Sequence, residues 1–261
     1  MHSHDNEHIN KDRFADSAGV PWQGRAFSEN PFSDDDGSAR PELIQAIEEF
    51  HNSGNASQVF VEFSKSRLLI PLLANLGESG EGAHGQTVDK SADLSIVTVE
   101  TPDGQTGLPV FSSVETMKRW NPIARPVPSD AIRVALAAAS EGNTRIVLDP
   151  GSPTEFAFRR NAIAAMAQQK DWVPPHFDER VIAAIDEGVS VSEPIEGIEV
   201  GSADPHSRLA GAEVKIKLQV KRGLAKDELE QVLHRITSNW AASEVIASSI
   251  DSMTIVVKPV N

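Results

Sequence analysis

Asp149-Pro-Gly-Ser152 places a carboxylate and a hydroxyl three residues apart on a glycine-containing turn. Function concentrates on loops held by rigid strands. Arg125, Arg159 and Arg160 carry guanidinium forks of the kind that grip carboxylate or phosphate. Asp149, Gly151, Ser152, Arg125, Arg159 and Arg160 are therefore the candidate ligand or partner loop, with a small anion as the matching ligand. The plainer reading is a hairpin turn, in which Asp149 bonds its own backbone, Gly151 takes a positive φ and the arginines are solvated strand ends. A serine nucleophile needs Gly-x-Ser-x-Gly on a strand-to-helix elbow. Here no glycine follows Ser152 and a strand rather than a helix is expected next, so acyl-transfer chemistry has no support.

Other patterns fail on mechanism. Gly80-Glu-Gly-Ala-His-Gly85 matches a dinucleotide fingerprint by letter. No helix pattern follows to hold a pyrophosphate, and Glu78, Glu81 and Asp89 repel one. His2, His4 and His8 sit on a polar terminus with nothing to order a second shell around a metal. His51, His84, His176, His206 and His234 have no histidine partner at metal-binding spacing. Asp34-Asp-Asp-Gly37 lacks the alternating ligands of a calcium loop. The chain has no Cys, which removes disulfides, thiolate metal sites and cysteine nucleophiles together. No metal and no cofactor is expected.

The 261 residues carry 24 basic and 38 acidic side chains, a net charge of −14. That mean field repels phosphate, so neither nucleic acid nor an anionic membrane is an expected partner. No apolar run is long enough to span a bilayer, and no signal peptide is visible at the start. Composition fits a cytoplasmic protein.

The elements that must position these residues follow from periodicity. Residues 1–37 are poor in aliphatics and read as a disordered arm. Its Trp22, Phe27 and Phe32 are candidate anchors, which makes 20–32 a docking arm for the chain itself or for a partner. Helices are expected at Pro41–Phe50 and Asn55–Ser64. Leu68-Leu-Ile-Pro-Leu-Leu reads as a strand that Pro71 restricts to an edge or a bulge. Strands at Leu94–Val99 and Gly107–Phe111 flank a Pro102-Asp-Gly-Gln turn. Ser112 to Glu115 reads as a capping box, and Ser129 as the cap of a helix bearing Ile132, Leu136 and Ala139. Arg145–Leu148 and Glu155–Phe158 form a hairpin around the Asp149 turn, and Asn161 caps the next helix. Residues 171–193 read as a connector with a short helix closed by Gly188. From 194 to 261 the pattern is β-β-α-β. Val214, Ile216, Leu218 and Val220 alternate with Lys215, Lys217, Gln219 and Lys221. Lys215, Lys217 and Lys221 are the candidate exposed basic strand, able to steer an acidic partner.

Five segments occur in a telling order: Lys90-Ser-Ala-Asp-Leu94, Leu108-Pro-Val-Phe-Ser-Ser113, Trp120-Asn-Pro122, Ala124-Arg-Pro-Val-Pro128 and Leu148-Asp-Pro-Gly-Ser-Pro153. Together they closely resemble the SseB family, the enhanced serine sensitivity proteins, and most of all its actinobacterial branch, across residues 20–258. The resemblance implies an α+β fold. A mixed-sheet SseB-like domain at 38–170 would precede the connector and the small β-β-α-β unit at 194–261. It implies no activity and no catalytic residues; sulfurtransferases that share the name stem use a cysteine this chain lacks. The expectation is a non-catalytic cytoplasmic module that binds a protein partner or regulates one. The alternative is an enzyme or small-anion binder using the Asp149 turn and its arginines.

Overall fold

The computed structural model describes residues 32–75, 93–190 and 194–260. Trp22, Phe27, the three N-terminal histidines and the Gly80–Gly85 run lie outside them. The chain divides into two units, Met1–Asp36 and Gly37–Asn261. In the first, residues 32–34 form a turn that the Asp35 N–H closes onto the Phe32 carbonyl. The second holds all the helices and strands of the described residues.

Helix α1 (Pro41–Ser53) starts on a proline in its first turn, where no N–H is missed, and ends at Gly54 with φ 71°. Leu43, Ala46, Ile47 and Phe50 fall on one face and are buried. Helix α2 (Ser57–Ser64) adds Val59, Phe60 and Phe63 to the same core.

Strand β1 (Leu68–Asn75) is central, between β2 (Asp93–Ile96) and β5 (Arg125–Ser129). The edge position expected from Pro71 is therefore corrected. Its missing N–H is harmless because β2 pairs only from Leu72 onward, and on the other side Pro71 faces Pro126, which also has no N–H. The expected single strand at Leu94–Val99 is two. β2 joins the β1 sheet, while β3 (Val99–Glu100) forms a hairpin with β4 (Thr106–Val110). That hairpin belongs to a second sheet, ordered β3-β4-β6-β7, with β6 (Arg145–Leu148) parallel to β4 and antiparallel to β7 (Phe156–Phe158).

Three caps differ from expectation by one or two positions. Helix α3 (Val114–Trp120) is capped by Ser113 with Thr116, because Ser112 turns to Asp149 instead. Helix α4 (Ala131–Ser140) is capped by Asp130, since Ser129 is the last residue of β5. Its buried face is Ala131, Val134, Ala135 and Ala138, leaving Leu136 exposed. Helix α5 (Arg160–Ala167) begins before Asn161, with Arg159 at the N-cap position.

After a single 3-10 turn at Pro175–Phe177, helix α6 (Glu179–Ser190) runs through Gly188 instead of ending there. The glycine serves contact: a Cβ at 188 would lie 2.4 Å from Cδ1 of Trp240. That indole donates from Nε1 to the Ile185 carbonyl at 3.0 Å. Trp240 belongs to helix α7 (Lys226–Ala242), which a short α8 (Glu244–Ser249) follows. The three helices pack against a sheet ordered β10-β9-β8, made of β8 (Ile195–Gly201), β9 (Val214–Lys221) and β10 (Met253–Val260). β8 and β9 are antiparallel and β9 and β10 parallel, so α7 sits in a β-β-α-β unit. Val214, Ile216, Leu218 and Val220 are the buried row of β9. The fold is α+β. Among the described residues no helix is long and apolar enough to cross a membrane.

Candidate functional site

Asp149 ends β6 with φ 47° and is fully buried. Its Oδ1 accepts from the Ser112 N–H and the Thr116 hydroxyl, each at 2.8 Å. Its Oδ2 accepts from the Ser112 hydroxyl at 2.6 Å and the Thr154 hydroxyl at 2.8 Å. Four donors occupy the carboxylate, which is thus a knot joining the end of β4, the start of α3 and the hairpin loop. Ser152 Oγ meets Thr154 Oγ1 at 2.9 Å and accepts from the Thr154 N–H, closing the turn on itself. Gly151, exposed with φ 76°, donates its N–H to the Glu155 carboxylate.

The three arginines do not converge on this turn. Arg125 is exposed on β5, in the other sheet. Arg160 is largely exposed and only 3.9 Å at closest from the Asp251 carboxylate. Arg159 is buried and points the other way, donating to Asp204 at 2.9 Å and to the Gly211 carbonyl at 2.6 Å. A hairpin loop and the arginine that follows its second strand leave on opposite errands, which spacing alone does not reveal. On the C-terminal sheet Lys221 is exposed, Lys215 is half-buried, and Lys217 is paired with Glu199 of β8 at 2.9 Å. Val256 of β10 lies beside Lys217, 43% exposed.

Arg159 instead belongs to a buried ion cluster. Arg145, at the start of β6, donates to Asp103 at 2.8 Å and grips Asp251 with two nitrogens at 2.9 and 3.2 Å. Asp103 comes from the β3–β4 turn and Asp251 from the residues before β10, so the cluster ties the β3-β4-β6-β7 sheet to the last. Burial pushes the Asp103 carboxyl up, but the Thr101 hydroxyl and Arg145 together outweigh burial and hold it below its usual range.

The segment 202–213, between β8 and β9, closes over this cluster. Its Ser207 carbonyl accepts from the Ala157 N–H at 2.7 Å, covering the free edge of β7. Its Leu209 packs against Val147 and Ala157. Ser207 and Leu209 both adopt positive φ, 48° and 61°, and a Cβ on Gly211 would come within 2.4 Å of the Ala203 carbonyl oxygen. Strain of this kind in non-glycine residues clusters at ligand sites.

Between this segment, β7, the end of α1 and the Trp172–Phe177 stretch lies a cavity of about 370 Å³. Phe50, Phe156, Phe158, Trp172, Pro174 and Phe177 supply apolar wall, while Glu213, Asp204, Arg159, His176, Ser202 and Ser207 supply polar groups. An apolar cavity with a few convergent polar groups is the usual form of a small-molecule site. Glu213, immediately before β9, is buried and accepts from the Asp251 N–H at 2.6 Å. Burial pushes its carboxyl up to about 7, with Asp251 adding repulsion and Arg159 and Arg145 opposing. Burial likewise lowers His176, whose ring bonds the Gly54 backbone while its Nδ1 is buried without a hydrogen-bond partner. Two titratable groups shifted by burial face one cavity.

Residues 42–165 match the model of the SseB protein N-terminal domain. The chain carries an SseB-family N-terminal domain over those residues. That match spans α1 through most of α5 and contains the Asp149 knot, Arg145 and Arg159, but not Glu213, Asp204 or His176. No curated protein and no solved structure matches the chain. The cavity therefore lies where the SseB domain meets the C-terminal part of the chain. The residues that complete it were missed by motif reading because they are single residues from separate segments. The available signal was 202–213 itself, a polar stretch with Asp204-Pro-His-Ser longer than a hairpin between β8 and β9 requires.

Proposed function

We propose that this protein is a non-catalytic binding module that takes a small molecule in the cavity between its SseB domain and its C-terminal β-β-α-β unit. The observation that carries the reading is the pairing of aromatic walls with the Glu213 carboxylate, a buried acid with one hydrogen-bond donor among the described residues, on one cavity. Binding fits better than catalysis. A histidine base is oriented by a hydrogen bond to one ring nitrogen and meets the nucleophile with the other. His176 has its Nδ1 unpartnered, so neither a serine nor a carboxylate engages it there. Because the walls come from both halves, occupancy would stiffen their junction, which suits a regulatory role in the cytoplasm.

Thermal shift with the full chain tests this. A compound at one hundred times its Kd stabilises the protein by about 2.7 kcal/mol. Small apolar compounds with one polar group should raise Tm and change tryptophan fluorescence, and Trp172→Phe should remove most of the fluorescence response. A panel that moves neither signal rejects the cavity as a site.

Protein binding is the second reading, supported by Val256 exposed beside a lysine row on an acidic chain. The double variant Lys215→Glu, Lys221→Glu should abolish capture of a stoichiometric acidic partner while leaving Tm unchanged; retained capture rejects that surface.

A further inference from the structure

Resting on the cavity reading, we infer that the ligand is an organic cation, a protonated amine on an apolar body, whose ammonium is received by the Glu213 carboxylate.

The ion cluster that reaches the cavity wall through Arg159, Asp204 and Glu213 is unbalanced in charge. Asp103, Asp204, Asp251 and Glu213 surround two guanidiniums, Arg145 and Arg159. The guanidiniums are paired chiefly with the aspartates. Arg145 holds Asp103 and Asp251, and Arg159 holds Asp204, the Gly211 carbonyl and the Ser252 hydroxyl. With every carboxyl ionised the cluster carries two negative charges in excess, and Glu213 is the carboxyl left without a cation of its own. Among the described residues, its carboxylate has a single hydrogen-bond donor, the Asp251 N–H. A carboxylate in this setting stays protonated unless a charge arrives.

The Glu213 carboxylate lines the cavity with one hydrogen-bond donor of its own, so an ammonium with three donors finds acceptor oxygens there. The aromatic wall adds attraction for a cation, with Trp172 half-buried and Phe177 at the rim, 42% exposed. An anion is disfavoured, because the one guanidinium on the wall is paired with Asp204 and the Glu213 and Asp204 carboxylates lie beside it.

The binding is proton-linked. Below pH 7 the free protein holds a proton on Glu213, and an arriving ammonium displaces it. His176, Arg159, Asp204, Asp251, Arg145 and Asp103 are the charged or titratable groups around it. Arg159 is paired with Asp204 and Asp251, Arg145 with Asp103 and Asp251, and burial lowers His176 toward its neutral form. Affinity for a cation thus falls as pH falls through about 7.

Isothermal titration of the full chain with phenethylamine, phenethyl alcohol and phenylacetate tests this at pH 8 and pH 6. The amine should bind at least about tenfold more tightly than the alcohol at pH 8 and lose roughly tenfold at pH 6, releasing close to one proton there. Phenylacetate should not bind. Glu213→Gln should abolish both the preference for the amine and its pH dependence. Phe177→Ala, at the exposed rim where folding is not at risk, should weaken the amine severalfold and the alcohol less. Equal binding of alcohol and amine, or a preference for phenylacetate, overturns the cationic ligand and leaves the cavity standing as a site. If none of the three binds, the cavity reading and this inference fall together.

Discussion

Two buried carboxylates in this chain have opposite fates. Asp149 sits at the end of β6 with four donors around it, and Glu213 sits at the start of β9 with one. Both are nearly inaccessible, at 0% and 8% exposure. What separates them is who supplies the donors. The donors to Asp149 come from the backbone and hydroxyls of residues 112–154, all within the stretch that matches the SseB domain. Glu213 lies beside the C-terminal sheet, where the guanidiniums are already held by aspartates. A buried acid whose hydrogen bonds are complete is architecture; one whose hydrogen bonds are incomplete, beside a cavity, is the group to which our proposal gives a ligand.

The comparison breaks most directly at Asp149. Asp149→Ala strips four donors of their acceptor and leaves a residue without a polar side chain at φ 47°, so a loss of about 4 kcal/mol is expected in denaturant titration. Asp149→Asn keeps the tolerance for that backbone shape and should cost less, since the hydroxyls of Ser112, Thr116 and Thr154 can reorient. A near-neutral Asp149→Ala would show that the knot is not structural.

Glu213→Gln should act in the opposite direction. The carboxyl titrates at about 7 in the folded protein against an ordinary 4.5. Between those values the folded chain keeps a proton that the unfolded chain has released, so stability falls as pH rises from about 4.5 through 7 and then levels off. The glutamine variant should lose that slope and be more stable than the parent at pH 8, by roughly 2–3 kcal/mol at most. An unchanged slope would mean that Glu213 is not held neutral.

Gly188→Ala sharpens the contrast by disturbing the C-terminal core without touching either acid. With a Cβ 2.4 Å from the Trp240 ring, it should cost about 1–3 kcal/mol and leave the pH slope of stability intact. The smallest effect belongs to Ser152→Ala. Its hydroxyl bonds only within the turn, to Thr154, and Asp149 keeps all four donors, so a loss of about 0.5–1 kcal/mol and unchanged amine binding are expected. A larger loss of binding would return the turn to the functional site.

Local features were legible in the residues wherever one segment carries its own physics. The alternation of β9, the hairpin around Asp149-Pro-Gly-Ser152 and the turn after Thr101 all appear where spacing places them. Errors arose where a residue type has two uses. Gly188 looks like a helix stop and is a contact; Pro71 looks like an edge marker and is tolerated in a central strand opposite Pro126. Arg159 looks like a partner for the neighbouring turn and is spent on Asp204.

By itself the sequence determined the α+β pattern, the ordered motifs of the SseB domain and the basic-facing alternation of the last sheet, because each rests on neighbours within about ten residues. Only the tertiary structure decided that Asp149 is saturated, and that Arg145, Arg159, Asp103, Asp204, Asp251 and Glu213 share one buried floor. Those six residues span more than a hundred positions, from the β3–β4 turn to the start of β10. Charge, burial and donor count are properties of that assembled floor, and no stretch of chain contains them.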